Sequence, residues 1–112
     1  MTVEKLRALL LAYPGVREAP SYGTPGFRVR QKLLARLHQK EPAVVLRVAD
    51  LDEQEVLVEM EPSVFYVTDH YAGHPWVLAR LATARADDLR DVLETAWRAA
   101  ASKAQIAAFE AD

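Results

Sequence analysis

Residues 68–76 read TDHYAGHPW and hold the densest set of groups in the chain that could do chemistry. Asp69, His70 and His74 offer one carboxylate and two imidazoles, and three protein ligands suffice for a catalytic zinc. Two histidines four residues apart converge readily when they share a helix. Here Gly73 and Pro75 flank His74, and the segment lies between two strand-like runs, so helical convergence is lost. The segment reads instead as the turn of a hairpin. In that reading Asp69 caps the turn, His70 bonds backbone and Trp76 packs as the next strand begins. No metal and no other cofactor is expected.

Other signatures of chemistry are weaker. Ser21, Ser63 and Ser102 lack the context of a nucleophile elbow, and there is no phosphate-binding P-loop. GTPG at 23–26 matches the GXXG of an RNA-binding loop only on the surface. Pro25 removes a backbone donor there, and a strand follows where a helix should. The acids Asp50, Asp52, Glu53, Glu55, Glu59 and Glu61 lack the spacing of a calcium loop. They suit a solvated helix whose positive end attracts them. The chain is therefore expected to bind and not to catalyse.

Charge gives the more useful signal. The formal net charge is −2, yet residues 27–48 carry net +5 and residues 49–69 carry seven acids with no Lys or Arg. A nearly neutral chain is thus polarised along its length. Alternation of period two puts Arg28, Arg30, Arg36 and Arg47 opposite the apolar residues of their strands, on one sheet face. With Lys32, Arg80, Tyr66 and Trp76 they make the expected nucleic-acid-binding set, cations for phosphates and rings for bases. A sequence pI near 5.9 weighs against a dedicated binder. The competing reading is a protein-interaction module or homodimer, in which the basic and acidic segments are complementary surfaces.

The elements that must position these residues follow from periodicity. Thr2 caps a helix over 2–13, with Val3, Leu6, Leu9, Leu10 and Tyr13 at helical spacing and Pro14-Gly15 as its stop. REAPSYGTPG, rich in breakers, reads as a loop. FRVR and the run 33–37 read as two hairpin arms about Gln31-Lys32, HQKEP as a loop, and AVVLRV as a third strand. Asp50 and Glu53 form a variant capping box for a helix over 50–60, with Leu51, Val56, Leu57 and Met60 expected to face inward. SVFYVT and WVLARL are the fourth and fifth strands. A last helix over 87–101 carries the stripe Leu89, Val92, Leu93, Ala96, Trp97 and Ala100, and Ile106 and Phe109 suggest that the tail docks.

The order α-β-β-β-α-β-β-α predicts an α+β fold as one domain over 1–112. It is a two-layer sandwich, with helices on one face of an antiparallel five-stranded sheet and the other face open. The chain has no cysteine, no signal peptide is read at the N-terminus, and no apolar run approaches the ~18 residues of a membrane span. A cytoplasmic location is expected.

TPGFRVRQKLLARL, VVLRV, VFYVTDHYAGHPWVLARL and DDLRDVLETAWRAAA stand in the order and spacing of the MmcQ/YjbR family, which the chain resembles from about Leu6 to Lys103. The most specific segments are TPxFRV at Thr24–Val29 and HYxGxPWV at His70–Val77. Leu34 departs from the pattern, since relatives commonly carry an aromatic there. The resemblance implies a small bacterial single-domain protein with a secretion-chaperone-like α/β fold. Members are often labelled DNA-binding-like, and the family brings no established catalytic residues.

Overall fold

The structure, a computed structural model, describes residues 1–38 and 42–111. In chain order the elements are α1 (Val3–Leu11), β1 (Val16–Ser21), β2 (Thr24–Val29), β3 (Lys32–Leu37), β4 (Ala43–Arg47), α2 (Leu51–Met60), β5 (Phe65–Tyr66), β6 (Trp76–Arg80), α3 (Ala86–Ala100) and α4 (Lys103–Glu110). The strands form one sheet in the order β1-β2-β3-β4-β6-β5, and every neighbouring pair is antiparallel. The α+β architecture expected from the sequence is therefore present, with six strands where five were expected. Residues 39–41 of the expected HQKEP loop, Lys40 among them, lie outside the described residues, as does Asp112.

The additional strand is β1, which periodicity assigned to a loop. Pro20 and Pro25 face each other across the β1–β2 pair, and proline reads as a strand breaker. Pro20, however, is on β1, the edge of the sheet, where an absent N–H costs nothing if it would point to solvent, and Pro25 lies in β2 ahead of its first pair with β3, Gly26 with Arg36. Tyr22 and Gly23 both have positive φ, 53° and 80°, and make a tight two-residue connection. At the other end of β2 the turn falls on Arg30-Gln31, one residue earlier than expected, with Arg30 at φ 54°.

One face of the sheet is covered by helices. Phe27, Val29, Leu34, Val44, Leu46, Phe65 and Val77 from the sheet join Leu6 and Leu10 of α1 and Leu89, Leu93 and Trp97 of α3 in a continuous core. Trp97 is fully buried, and its indole N–H donates to the Pro14 carbonyl at 2.9 Å. Its ring lies 5.0 Å from Phe109 and 5.5 Å from Tyr13. The tail thus docks as a helix of its own, opened by a reciprocal Ser102–Gln105 cap. Burial pushes the Tyr13 phenol above its ordinary pKa, with Glu94 adding to the effect.

α2 departs from expectation in its orientation. Asp50 caps it as read, accepting from Glu53 N–H at 2.8 Å. Leu57 and Val58 touch the core, while Leu51, Val56 and Met60 are exposed. Gln54 fixes this rotation by donating to the carbonyls of His74 and Trp76 at 2.8 and 2.7 Å. A polar anchor, invisible to a count of apolar spacing, decides which side of the helix faces in.

Candidate functional site

Among the described residues no helix packs on the opposite face of the sheet, whose small apolar cluster is made of strand and loop residues. The floor of this face is set by register: Arg28 pairs with Leu33, Arg36 with Gly26 and Val45, Val45 with Leu78, and Arg47 with Trp76. Strict alternation would put Leu33 with Ala35 on the core side. A register shift in the β2–β3 pair beside Phe27 and Arg28 breaks that alternation. Leu34 then buries in the core and Leu33 turns to the open face, where it and Arg36 share the floor. Gly26 contributes by lacking a side chain: a Cβ there would meet Ser21 Cβ at 2.8 Å.

Two loops raise walls on this floor. One is the β1–β2 hairpin, whose Tyr22 stands 84% exposed at the rim. The other is the 68–75 turn. Tyr71 N–H and Ala72 N–H both donate to Thr68 O at 3.0 Å, and His74 N–H donates to Tyr71 O at 3.0 Å. This run of turns folds over the open face, so that Tyr71 buries against Val45 and Leu78 with Trp76 beside them. The expected turn is present, and it is also a wall. Asp69 and His74 are exposed and take no part in the cleft, whereas His70 lines it, edge-on to Tyr71 at 4.7 Å. Among the described residues no three His, Asp or Glu side chains are grouped to hold a metal ion.

Between the walls lies a cleft of about 500 Å³, lined by Tyr22, Arg28, Leu33, Arg36, Val45, Arg47, His70, Tyr71 and Trp76. Its arginines are held in place by neutral partners. The Arg47 guanidinium lies over the Trp76 ring, 4.4 Å from its centroid, and Nε donates to Leu33 O at 2.7 Å. Arg36 donates to the Tyr71 hydroxyl and sits 5.9 Å from the centroids of both Tyr22 and Tyr71. Arg28 donates to Gln31 O at 3.3 Å. Burial holds the Arg47 guanidinium below its ordinary pKa, and the nearby Arg28 cation pushes it the same way. Among the described residues no carboxylate pairs with Arg28, Arg36 or Arg47; the ion pairs use Arg7, Arg85, Arg90 and Arg98.

Of the residues expected from sequence, the cleft brings together Arg28, Arg36, Arg47 and Trp76. Arg80 and Tyr66 share the open face, with the Arg80 guanidinium 4.2 Å from the Tyr66 centroid, but lie toward the β5 edge and outside the cleft. Arg30 and Lys32 are elsewhere. Arg30 occupies the β2–β3 turn and not a strand face, which corrects the alternation argument for it. Lys32 pairs with Val29, a core-side residue, and Arg30 and Lys32 border a hollow against Ala99 and Ala100 at the end of α3. Sequence reasoning missed Arg17, which pairs directly with Arg28 and shares its face. It also missed Tyr22 and Tyr71 as ring contributors. Reading 16–21 as a strand would have found Arg17, because residues paired across a ladder share a face.

Comparison with known proteins agrees with this picture of the fold. The family model described as YjbR matches residues 11–99. Uncharacterized proteins of Mycobacterium bovis and Mycobacterium tuberculosis are 34% identical over 85 residues, which is 73% of this chain and 66% of theirs. The chain thus spans just under two thirds of the length of these relatives. A crystal structure of Deinococcus radiodurans protein DR2400, a DUF419 domain, superposes with a TM-score of 0.72 at 20% identity. It covers 97% of this chain and 88% of that one. The resemblance read from TPGFRV and HYAGHPWV is borne out: the chain belongs to the YjbR family.

Proposed function

We propose that the open sheet face binds nucleic acid, with a preference for single strands, and acts by binding and not by catalysis. The observation that carries this is the set Arg28, Arg36 and Arg47 in one cleft, with no described carboxylate to neutralise them, beside Tyr22, Tyr71 and Trp76. Like charges directly across a ladder destabilise a sheet, and Arg17 opposite Arg28 is such a pair. A polyanion relieves that repulsion, and its charge offsets the cost of the partial desolvation of Arg47. Phosphates suit the guanidinium forks, and the exposed Tyr22 ring suits an unstacked base. A cytoplasmic setting belongs to the same reading, as a chain without cysteine needs no oxidising compartment.

The test is fluorescence polarisation with a mixed-sequence oligonucleotide, single- and double-stranded, across a salt series. Binding that weakens with salt and favours the single strand supports the reading. Absence of binding at about 50 mM salt and micromolar protein, where phosphate contacts are strong, refutes it.

One observation favours a second reading, a protein-contact module. Val56 and Met60 are exposed on α2 among Asp52, Glu55 and Glu59, an apolar pair within an acidic surface. Light scattering after size exclusion, repeated at high salt, checks whether this surface and the basic face hold two copies together.

A further inference from the structure

Resting on the reading above, we propose that the cleft is built for a terminal nucleotide: a phosphomonoester next to a planar ring, as on the phosphorylated end of a strand or on a free nucleoside monophosphate. The first argument is size. At about 500 Å³ the cleft has the volume of a small-molecule pocket, whereas a binder of continuous strand uses an extended groove. The β1–β2 hairpin with Tyr22 closes one side, and the 68–75 turn with His70 and Tyr71 closes the other.

The second argument is charge. Three guanidiniums line this one small volume, and no described carboxylate offsets them. A phosphodiester link brings one negative charge to a site of that size. A phosphomonoester brings about −1.5 to −2 at neutral pH and three terminal oxygens, each able to accept from a guanidinium fork. The monoester is the closer match to the charge and donor count. Preorganisation points the same way. Arg47 is fixed between Trp76 and Leu33 O, and Arg36 is fixed by the Tyr71 hydroxyl, so neither must be ordered on binding.

The third argument is the placement of rings. Arg36 lies 5.9 Å from Tyr22 as well as from Tyr71, so a cation and the rim ring are neighbours. A phosphate at Arg36 therefore leaves its attached base within reach of the Tyr22 ring, a stacking surface that tolerates any base.

The experiment compares one single-stranded sequence carrying a 5′-phosphate, a 3′-phosphate or neither, by polarisation at fixed ionic strength. A nucleoside monophosphate, the matching nucleoside and inorganic phosphate serve as competitors. A terminal phosphate should tighten binding about tenfold or more, equivalent to about 1.4 kcal/mol. The monophosphate should compete better than either the nucleoside or inorganic phosphate. Arg28→Gln should reduce the end preference toward unity. Arg17→Gln, outside the cleft, should weaken all three strands equally.

Equal affinity for phosphorylated and unphosphorylated ends would overturn the inference and leave the nucleic-acid reading standing. So would inorganic phosphate competing as well as the monophosphate, or the two arginine variants acting alike. A monophosphate that binds to the protein when no strand does would support the inference and refute the strand reading. Failure of every probe would refute both.

Discussion

If the open face grips phosphates, removing arginines from it must change the salt dependence of binding and not only its strength. Arg28, Arg36 and Arg47 line the cleft and Arg17 pairs with Arg28 beside it, while Arg80 is set apart over Tyr66 toward the β5 edge, so the starting count for a strand at the cleft is four phosphate contacts. Each contact on a single strand contributes about −0.7 to the slope of log K against log salt, giving about −2.8 for four. Raising salt from about 50 to about 200 mM should then weaken binding by about fiftyfold. Substituting Arg28 and Arg36 by Gln leaves two contacts, a slope of about −1.4 and a loss of about sevenfold over the same range. Arg47 is spared because it braces Leu33 O and Trp76, and its loss would confound folding with binding. Polarisation titrations at four or more salt concentrations measure the slopes, and circular dichroism confirms that the variant is folded. A double variant that binds more weakly with an unchanged slope would refute the reasoning, because its arginines would then not be meeting phosphates.

Arg30→Gly with Lys32→Ala should leave that slope unchanged, since neither side chain lies on the open face; the positive φ at residue 30 should also make Gly stabilising there, by up to about 1 kcal/mol in chemical denaturation. Trp97→Ala should destabilise by about 3–5 kcal/mol, as for other buried aromatics, and a loss below about 1 kcal/mol would mean that α3 does not pack as described. Tyr13 should produce an alkaline stability loss. Its phenol pKa is raised on folding, so its contribution is whole below the unfolded-state pKa and disappears as pH rises through the folded one. Tyr13→Phe should flatten that part of the stability profile, measured by denaturation at a series of alkaline pH values.

Where the sequence was legible, burial was strong and the period unbroken. The stripe from Leu89 to Ala100 located α3 because one continuous side of it is buried. AVVLR located β4, a central strand with both faces apolar. What failed were the places where something other than apolar spacing decides the conformation. β1 was hidden by Pro20, which an edge strand tolerates and a propensity count does not, and by Pro25 opposite it, which lies in β2 ahead of the first pair with β3. The rotation of α2 was hidden because Gln54 sets it through two backbone carbonyls. Arg30 was misplaced by a turn one residue early, and Leu33 by the register shift beside Phe27. At the site, the arginines of the central strands were readable by alternation. Tyr22 and Tyr71 were not, because they arrive from loops whose path over the sheet is a tertiary fact.

The TDHYAGHPW turn shows how stability and recognition meet in this fold. The helix side of the sheet holds nearly all of the core, which leaves Val45 and Leu78 as the apolar centre of the other face. Left bare, they would be an exposed patch in the middle of a sheet. Tyr71 covers them, and the backbone bonds to Thr68 O fix the turn that carries it. Tyr is the residue type that can do this and still serve the cleft, since its ring buries while its hydroxyl stays available to Arg36. Trp76 follows the same logic one strand over, its ring adjoining Val45 and Leu78 and also lying under Arg47. The rings that seal the small core on this face are thus the same ones that aim the guanidiniums. The open face can therefore carry unpaired cations in fixed positions without a helix to support them.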